Sequence, residues 1–514
     1  MKQLLLSVLW VFCLQVAAAQ DYKAAFEAIY QESKASSDLP ALAHRFIDQI
    51  GPRLVGSPQM QKAHEFVVQQ YQDWGIDAYN EQWGTWQSWQ RQFTHVDMTA
   101  PWPKTMEAIQ MAWCPNMKKP LTAEVVLLPF AADSLAFDKM LPSLKGKIVL
   151  ISPVQSSGRP TSTYEKFIGK AGADSIAMQR QRAAQQWAKQ VSNTGFTTRT
   201  LPKKLEDAGV AGLVLSSWTD GWGALKVFAA RTTKIPAVEM SVEDYNLLAR
   251  LAASNSKPQL RMHTTSKWGG MVPAYNTMAK IKGTEKPEEI VMLSAHIDSW
   301  DAGTGATDNG TGVLTMMEAM RILKKVYPHP KRTIMVGHWG SEEQGLNGSR
   351  SFTEDHPELL DKISMVFNQD NGTGKINTIA TQGFVNAYAF FDKWLAYLPD
   401  PLKGNFNMTY PGFPDVGGSD NMAFLPKGVP AFYLASSNDW DYRIYTWHTQ
   451  RDTYDKIVFD ELQQNAMLVA MLVYMASEEP TMLDRTRIKM PIDITTGKER
   501  RWPEPGKAGR TGPK

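Results

Sequence analysis

Between residues 290 and 460, histidine and carboxylate side chains gather just downstream of apolar runs. Ile290–Ala295 leads into His296-Ile297-Asp298, and the Gly-rich stretch Gly303–Thr307 then delivers Asp308-Asn309-Gly310. Thr333–Val336 precedes Ser341-Glu342-Glu343-Gln344-Gly345, Ile363–Phe367 precedes Asn368-Gln369-Asp370, and Trp447-His448 is followed by Thr449 and Asp452. Imidazoles and carboxylates without thiolates suit zinc. Two zinc ions about 3.5–4 Å apart would need a shared carboxylate, a terminal His and a terminal carboxylate for each metal, and one acid left over as a base. That is the equipment of a hydrolytic centre.

Each item is weak alone. A second H-x-D, His95-Val96-Asp97, has no acidic companions after neighbouring strands and reads as ordinary surface or core. Gly303–Gly312 lacks the Lys of a phosphate-binding loop and carries an acid where phosphate would sit. His64-Glu65 is not a zinc-peptidase helix pair, because the position four residues after His64 is Val68. The chain has no G-x-S-x-G elbow, which argues against a serine hydrolase. What lifts the set is convergence: in open α/β sheets, ligands bind beyond the carboxyl ends of the strands.

The elements that must position these groups alternate in type. Residues 22–50 read as helical in two pieces, interrupted near Pro40, and Gln61–Trp74 resumes a helix. From about 100 to 265, short apolar strands (Glu124–Leu128, Lys147–Ile151, Gly212–Leu215, Pro236–Met240) alternate with turns and with helices such as Ala173–Lys189 and Val242–Ala252. The long polar segment Arg159–Lys204 reads as an elaboration. After residue 270, strands at Ile290–Ala295, Thr333–Gly337, Ile363–Phe367 and Pro430–Ala435 are separated by helices such as Gly312–Val326 and Asp460–Met475. Strands separated by helices predict an α/β fold, with a mixed, mostly parallel central sheet flanked by helices.

Composition narrows the classes. A length of 514 residues is ample for two or three domains, and a net charge of +3 with no basic stripe argues against nucleic acid as a partner. Met1-Lys2, the apolar run Leu4–Leu14 and Ala17-Ala18-Ala19 read as a signal peptide cleaved before Gln20. The apolar run falls short of the roughly 20 residues that span a bilayer, so no stable membrane anchor is expected. The expected location is secreted or periplasmic. Cleavage removes Cys13 and leaves Cys114 alone, expected as a buried apolar residue without a disulfide. From Gly497 onward the chain is basic and nearly free of apolar residues, and is expected to be disordered.

The order H-x-D, D-N-G-T-G, S-E-E-Q-G-L-N-G-S, D-N-G and W-H-T-x-x-D-T resembles the secreted co-catalytic dizinc exopeptidases, a family of leucyl aminopeptidases, aminopeptidase Y and glutamate carboxypeptidases. The likeness runs from Ile50-Gly51-Pro52-Arg53-Leu54-Val55-Gly56-Ser57 to near Asp455, and the layout is most similar to the plasma glutamate carboxypeptidase branch, whose members act as dipeptidases. The resemblance implies the zinc exopeptidase fold and two Zn2+ ions. Asp308 would bridge them, His296 and Asp370 would complete one site, and Glu343 and His448 the other. Asp298 would accept the ring N–H of His296, and Glu342 would be the general base acting on a water between the zinc ions. The peptide bond after Asp308 would be cis.

The same resemblance divides the chain into a signal peptide (1–19), the first part of the peptidase domain (20–100), a β-rich protease-associated insert (101–265), the catalytic part (266–490) and a basic tail (491–514). Peptides are the implied substrates. The insert is suited to cover the cleft and limit access to short substrates, or to pair two chains as a homodimer. A glutaminyl cyclase-like enzyme and a non-catalytic receptor-like relative are the competing readings, although all five ligands and the base are present. The direction of attack stays open, because Gly417–Asn421 and Asp441–Tyr445 offer groups of either sign. Amino-terminal cleavage of dipeptides or short peptides is the favoured reading, with carboxypeptidase specificity as its alternative.

Overall fold

Ile290-Val291-Met292-Leu293 is apolar without alternation, as befits a strand covered on both faces. In the computed structural model this run is fully enclosed: Val291 and Leu293 join the large core on one face, and Ile290 and Met292 a smaller core on the other. The structure describes residues 22–512, apart from 371–372, 401, 404–405, 415–417 and 437–440. The expected signal peptide, Asn371-Gly372 of the D-N-G motif and Gly417 therefore lie outside the described residues.

Fifteen strands are found among the described residues. In chain order they are β1 (Asp77–Ala100), β2 (Lys104–Thr105), β3 (Ala108–Gln110), β4 (Leu121–Leu127), β5 (Ile148–Leu150), β6 (Gly212–Leu215), β7 (Ala237–Met240) and β8 (Gln259–Ile281). They continue with β9 (Lys286–His296), β10 (Arg332–Trp339), β11 (Ile363–Asn368), β12 (Ile376–Ala380), β13 (Asn407–Thr409), β14 (Ala431–Ser436) and β15 (Thr511–Gly512). The main sheet runs β13-β12-β14-β11-β9-β10-β8. Its centre, β14-β11-β9-β10, is parallel, while β12 and β8 run antiparallel to their inner neighbours. A mixed, mostly parallel sheet is therefore what the chain forms. Helices Thr311–Val326 and Phe459–Glu478 pack on one face, and Asn347–Asp355 on the other. The break between the first helices falls at residues 37–38, with Pro40 inside the first turn of Leu39–Ala43, where a missing N–H costs nothing.

β1 and β8 form a long antiparallel ribbon, from the pair Asp77–Lys280 to the pair Ala100–Gln259. One end of β8 pairs with β10, and the other pairs with β4. The chain between the two strands builds its own sheet, with β4-β5-β6-β7 parallel and β3 antiparallel to β7. This segment is not the β-rich body that was expected. Its 33-residue helix Thr161–Asn193, broken at Gly169, is longer than β2–β7 together. The parallel order explains this, because each parallel crossover needs a connection that usually contains a helix.

The basic tail is ordered, contrary to expectation. Trp502 Nε1 donates to the Leu425 carbonyl at 3.0 Å, and Gly509 N to Asn347 Oδ1 at 2.7 Å. Arg510 pairs with Glu354 and Asp355, and β15 adds to β1 as a parallel edge strand. Few apolar residues are needed when main-chain pairing and an acidic helix end hold the segment. Cys114 is buried and unbonded to other cysteines, and burial pushes its thiol pKa up. No described helix is long and apolar enough to cross a membrane.

Candidate metal centre

His296 is the last residue of β9, Glu342 and Glu343 follow the end of β10, and Asp370 lies two residues beyond β11. Three adjacent parallel strands thus deliver five of the seven expected residues to one rim, Asp298 among them, two residues past β9. The loop after β9 brings Asp308 across, and the segment after β14 brings His448.

The side chains form two groups that share Asp308: His296, Asp308 and Asp370, and Asp308, Glu343 and His448, with the donor atoms of each group within 4.8 Å of one another. His296 Nε2 lies 3.1 Å from Asp370 Oδ1 and 3.4 Å from Asp308 Oδ1. His448 Nε2 lies 2.9 Å from Glu343 Oε2 and 3.3 Å from Asp308 Oδ2. Asp308 therefore turns one oxygen toward each imidazole. The Asp308–Asn309 peptide is cis.

Electrostatics show what the cluster suits. Burial raises Glu343 to about 7, and burial reinforced by Asp370 and Glu343 raises Glu342 well above the carboxylate range. Burial opposes charge on the imidazoles too, yet Asp370 and Glu342 hold His296 well above 6.5, and Glu343 and Asp308 hold His448 at about 9. Asp308 is drawn down by both imidazoles against its own burial. Asp308 Oδ2 and Glu343 Oε1 are buried without a hydrogen-bond partner among the described residues. Packed acids and orphaned oxygens of this kind are costly unless cations neutralise them. A nitrogen and oxygen donor set, with no thiolate, fits zinc.

Glu342 stands apart from both triads. Its carboxyl has no hydrogen-bond or ion-pair partner among the described residues, and it feels the charges of His296 and Asp370. Asp298 differs from expectation. Its main-chain oxygen lies 3.0 Å from His296 Nδ1, and its carboxylate lies farther off, at 3.6 Å. That carboxylate instead accepts the N–H of Glu342 at 3.0 Å and of Glu343 at 3.3 Å. The negative charge is better placed on two amides of a tight turn than on one ring nitrogen that a carbonyl already satisfies. Asp298 thus fixes the turn carrying Glu342 as well as the ring of His296.

Three supports carried no role in the sequence reading. Asp452, in the W-H-T-x-x-D-T run, accepts Thr307 N and Thr307 Oγ at 2.7 Å each and Asp308 N at 3.0 Å. Arg53, in the G-P-R run, is fully enclosed and donates to the carbonyls of Ile297, Thr304 and Gly305. Burial lowers its pKa to about 10, which leaves it charged. The third support comes from the inserted segment: Val227 N donates to the His448 carbonyl at 2.9 Å, and the Phe228 ring stands 5.2 Å from the His448 ring, edge to face. Paired motifs hinted at Arg53 and Asp452; nothing marked Phe228.

The two loops with groups of either sign are also separated. Asp420 is fully buried, accepts Ser349 Oγ at 2.5 Å, and is raised to about 7 by burial, so it faces the interior. Arg443 is exposed, and its Cζ lies 4.3 Å from the Trp447 ring centroid.

The chain is similar to known peptidases. Residues 276–473 match the sequence profile described as Peptidase family M28. The chain is 26% identical to carboxypeptidase Q of Rattus norvegicus over 446 residues, 86% of this chain and 85% of that one, and 27% identical to the Mus musculus protein over 86% of each. A crystal structure of a peptidase M28 precursor from Shewanella amazonensis superposes with a TM-score of 0.68 at 24% identity, covering 91% of this chain and 99% of that one. A zinc aminopeptidase from Bacillus subtilis gives a TM-score of 0.55 at 19% identity, over 86% and 94%.

Proposed function

Through residues 276–473 the chain belongs to peptidase family M28, and from that premise we propose that it is an exported dizinc exopeptidase that hydrolyses dipeptides or short peptides from the amino end. The observation that carries the reading is Asp308, with one oxygen toward each of two imidazoles and a further carboxylate beside each. His296, Asp308 and Asp370 would hold one zinc, and Asp308, Glu343 and His448 the other. When bound, the pair supplies a Lewis acid for the scissile carbonyl and a lowered pKa for the attacking water.

The chain's own residues do the rest. Glu342, without a partner, takes the proton from the attacking water and passes it to the leaving amine. Asp298 holds the Glu342 turn through its two amide contacts, and Asp452 and Arg53 hold the loop that presents Asp308. Phe228, Trp300 and Trp447 surround His448 with rings and exclude water from that side. Export rests on the pattern of residues 1–19, and the inserted segment between β1 and β8 is read as a protease-associated domain on its sequence marks.

Metal analysis combined with a substrate panel tests the proposal. We expect close to two zinc ions per chain and chelator-sensitive cleavage of free dipeptides, lost when the amino end is blocked. A zinc-loaded protein that cleaves no dipeptide or aminoacyl anilide would overturn it.

A further inference from the structure

Away from the metal centre, one histidine is held with a ring nitrogen bare. His64, on helix Pro58–Asp73, is 2% exposed, and its Nδ1 lies 2.8 Å from Thr277 Oγ1. That hydroxyl donates its own proton to Asn80 Oδ1 at 2.7 Å, so it accepts from the imidazole and fixes the ring proton on Nδ1. Burial lowers the His64 pKa to about 3, which keeps the ring neutral. Nε2 is then an acceptor carrying no proton, and it has no hydrogen-bond partner among the described residues. The two nitrogens of an imidazole point in nearly opposite directions, so Nε2 is turned away from Thr277.

β8 passes His64 at Thr277 and then, from Tyr275 back to Val272, lines a cavity of about 400 Å³ whose opposite wall is the start of the helix, His64 included. Val55, Pro58, Met60, Val272, Pro273 and Tyr275 make the wall largely apolar, and no lining residue carries a formal charge at neutral pH. Ser57 Oγ already accepts Met60 N at 3.1 Å, and the Gln61 amide turns to Glu65 Oε1 at 2.8 Å. A buried acceptor without a donor is costly, and the space is roughly ten times that of one water. Two proline rings, a thioether and the Tyr275 ring, whose centroid lies 6.0 Å from that of His64, present faces that suit a flat aromatic body. None of the residues expected at the metal centre lines this cavity.

We propose that this cavity is a second ligand site, which takes a neutral aromatic molecule with one N–H or O–H donor, of the indole or phenol kind, and directs that donor to His64 Nε2. A lining without charge disfavours peptides, free amino acids and other ions, because nothing in it offsets their desolvation. The site goes beyond the exopeptidase reading and does not depend on it.

The test uses the full-length zinc-loaded protein with indole and with benzofuran, a bicycle of the same size that has no donor. Calorimetry should give saturable binding of indole with a Kd below about 1 mM, about 3- to 10-fold tighter than benzofuran, as one buried hydrogen bond yields. His64→Leu should bring indole down to the benzofuran level and leave benzofuran nearly unchanged. Crystals soaked in 5-bromoindole should show the bromine, by its anomalous scattering, between Tyr275 and helix Pro58–Asp73. Failure of wild type to bind indole, equal binding of indole and benzofuran, or bromine found only elsewhere overturns the proposal. So does a His64→Leu protein of wild-type Tm that still prefers indole. If His64→Leu does not fold, the indole-against-benzofuran difference in wild type and the position of the bromine decide.

Discussion

Asp452→Asn separates a supporting role at the metal centre from simple packing. The side chain is 3% exposed, and Asn has nearly the same volume, so no cavity opens. The carboxylate accepts three hydrogen bonds: both Thr307 donors on Oδ1 and Asp308 N on Oδ2. An Asn that keeps its oxygen on Thr307 turns its NH2 toward Asp308 N, donor against donor; the opposite orientation sacrifices both Thr307 bonds. The smaller loss is one charge-assisted bond to a buried amide, about 1.5–3 kcal/mol. Neutralising the residue also removes a negative charge that raises the cost of an uncompensated Asp308, which favours the metal-free protein only. Both effects weaken zinc binding. The part of the bond loss common to the loaded and metal-free states appears as a lower Tm, and the remainder as affinity, about 10- to 100-fold in Kd. Competition against a chelator of known affinity reads the Kd, and thermal unfolding of the metal-free protein reads the shared part. An Asn variant with wild-type zinc affinity and wild-type Tm would refute the claim that Asp452 shapes the bridging loop.

Three further outcomes follow from the same geometry. Glu342→Gln should keep two zinc ions per chain while kcat falls about 10²- to 10⁴-fold, because a base outside both triads is lost; loss of zinc in step with activity would mean that Glu342 is a ligand. Glu206 is held at about 2, with burial opposing and Lys203 and the amides of Thr233 and Lys234 prevailing. Its folded pKa lies below the unfolded 4.5, so its contribution is present above about pH 5 and fades as pH falls toward 2. Urea unfolding between pH 6 and pH 3 should show that slope in wild type and a flatter one in Glu206→Gln, and identical slopes would dismiss it. Truncation before Ala508 removes the Arg510 pairs with Glu354 and Asp355, the Gly509–Asn347 bond and β15, and should cost about 1–2 kcal/mol in denaturant unfolding, since exposed ion pairs contribute little; an unchanged midpoint would show that the ordered tail adds nothing.

The clustering of these side chains was legible because chemistry and topology coincide: His296, Glu342, Glu343 and Asp370 each follow an apolar run, and a strand buried on both faces leaves an unmistakable one. Asp308 and His448 were legible only through motif order, since each lies about a dozen residues past the end of its strand, β9 or β14. Asp452 and Arg53 were visible as letters in those motifs, but their partners lie about 145 and 250 residues away in the chain, beyond any local pattern. The carboxylate of Asp298 lies farther from the ring than expected for a related reason, because H-x-D places it near the ring but does not say that two later amides compete for it. The tail misled through composition. Low apolar content argues against an independent core, yet a segment lying along a finished surface needs only Trp502, main-chain partners and an acidic helix end.

The inserted segment shifts where the active site ends. His448 adopts φ 63°, a left-handed conformation that costs a non-glycine residue about 1–2 kcal/mol. Something must hold it there, and the listless end of a loop would not. Val227 N fixes its carbonyl, and the rings of Phe228, Trp300 and Trp447 confine its imidazole, whose Nδ1 has no hydrogen-bond partner among the described residues. The other imidazole, His296, is oriented by a carbonyl of its own strand end instead. The two candidate metal sites are thus supported unequally, one from within the main sheet and one from across the β1–β8 ribbon. Displacement of the 225–228 stretch should therefore loosen the Glu343–His448 site first and leave His296 and Asp370 in place, so Phe228→Ala should lose one zinc well before the second in a chelator titration. Simultaneous loss of both would mean that Asp308, and not the inserted segment, governs the pair.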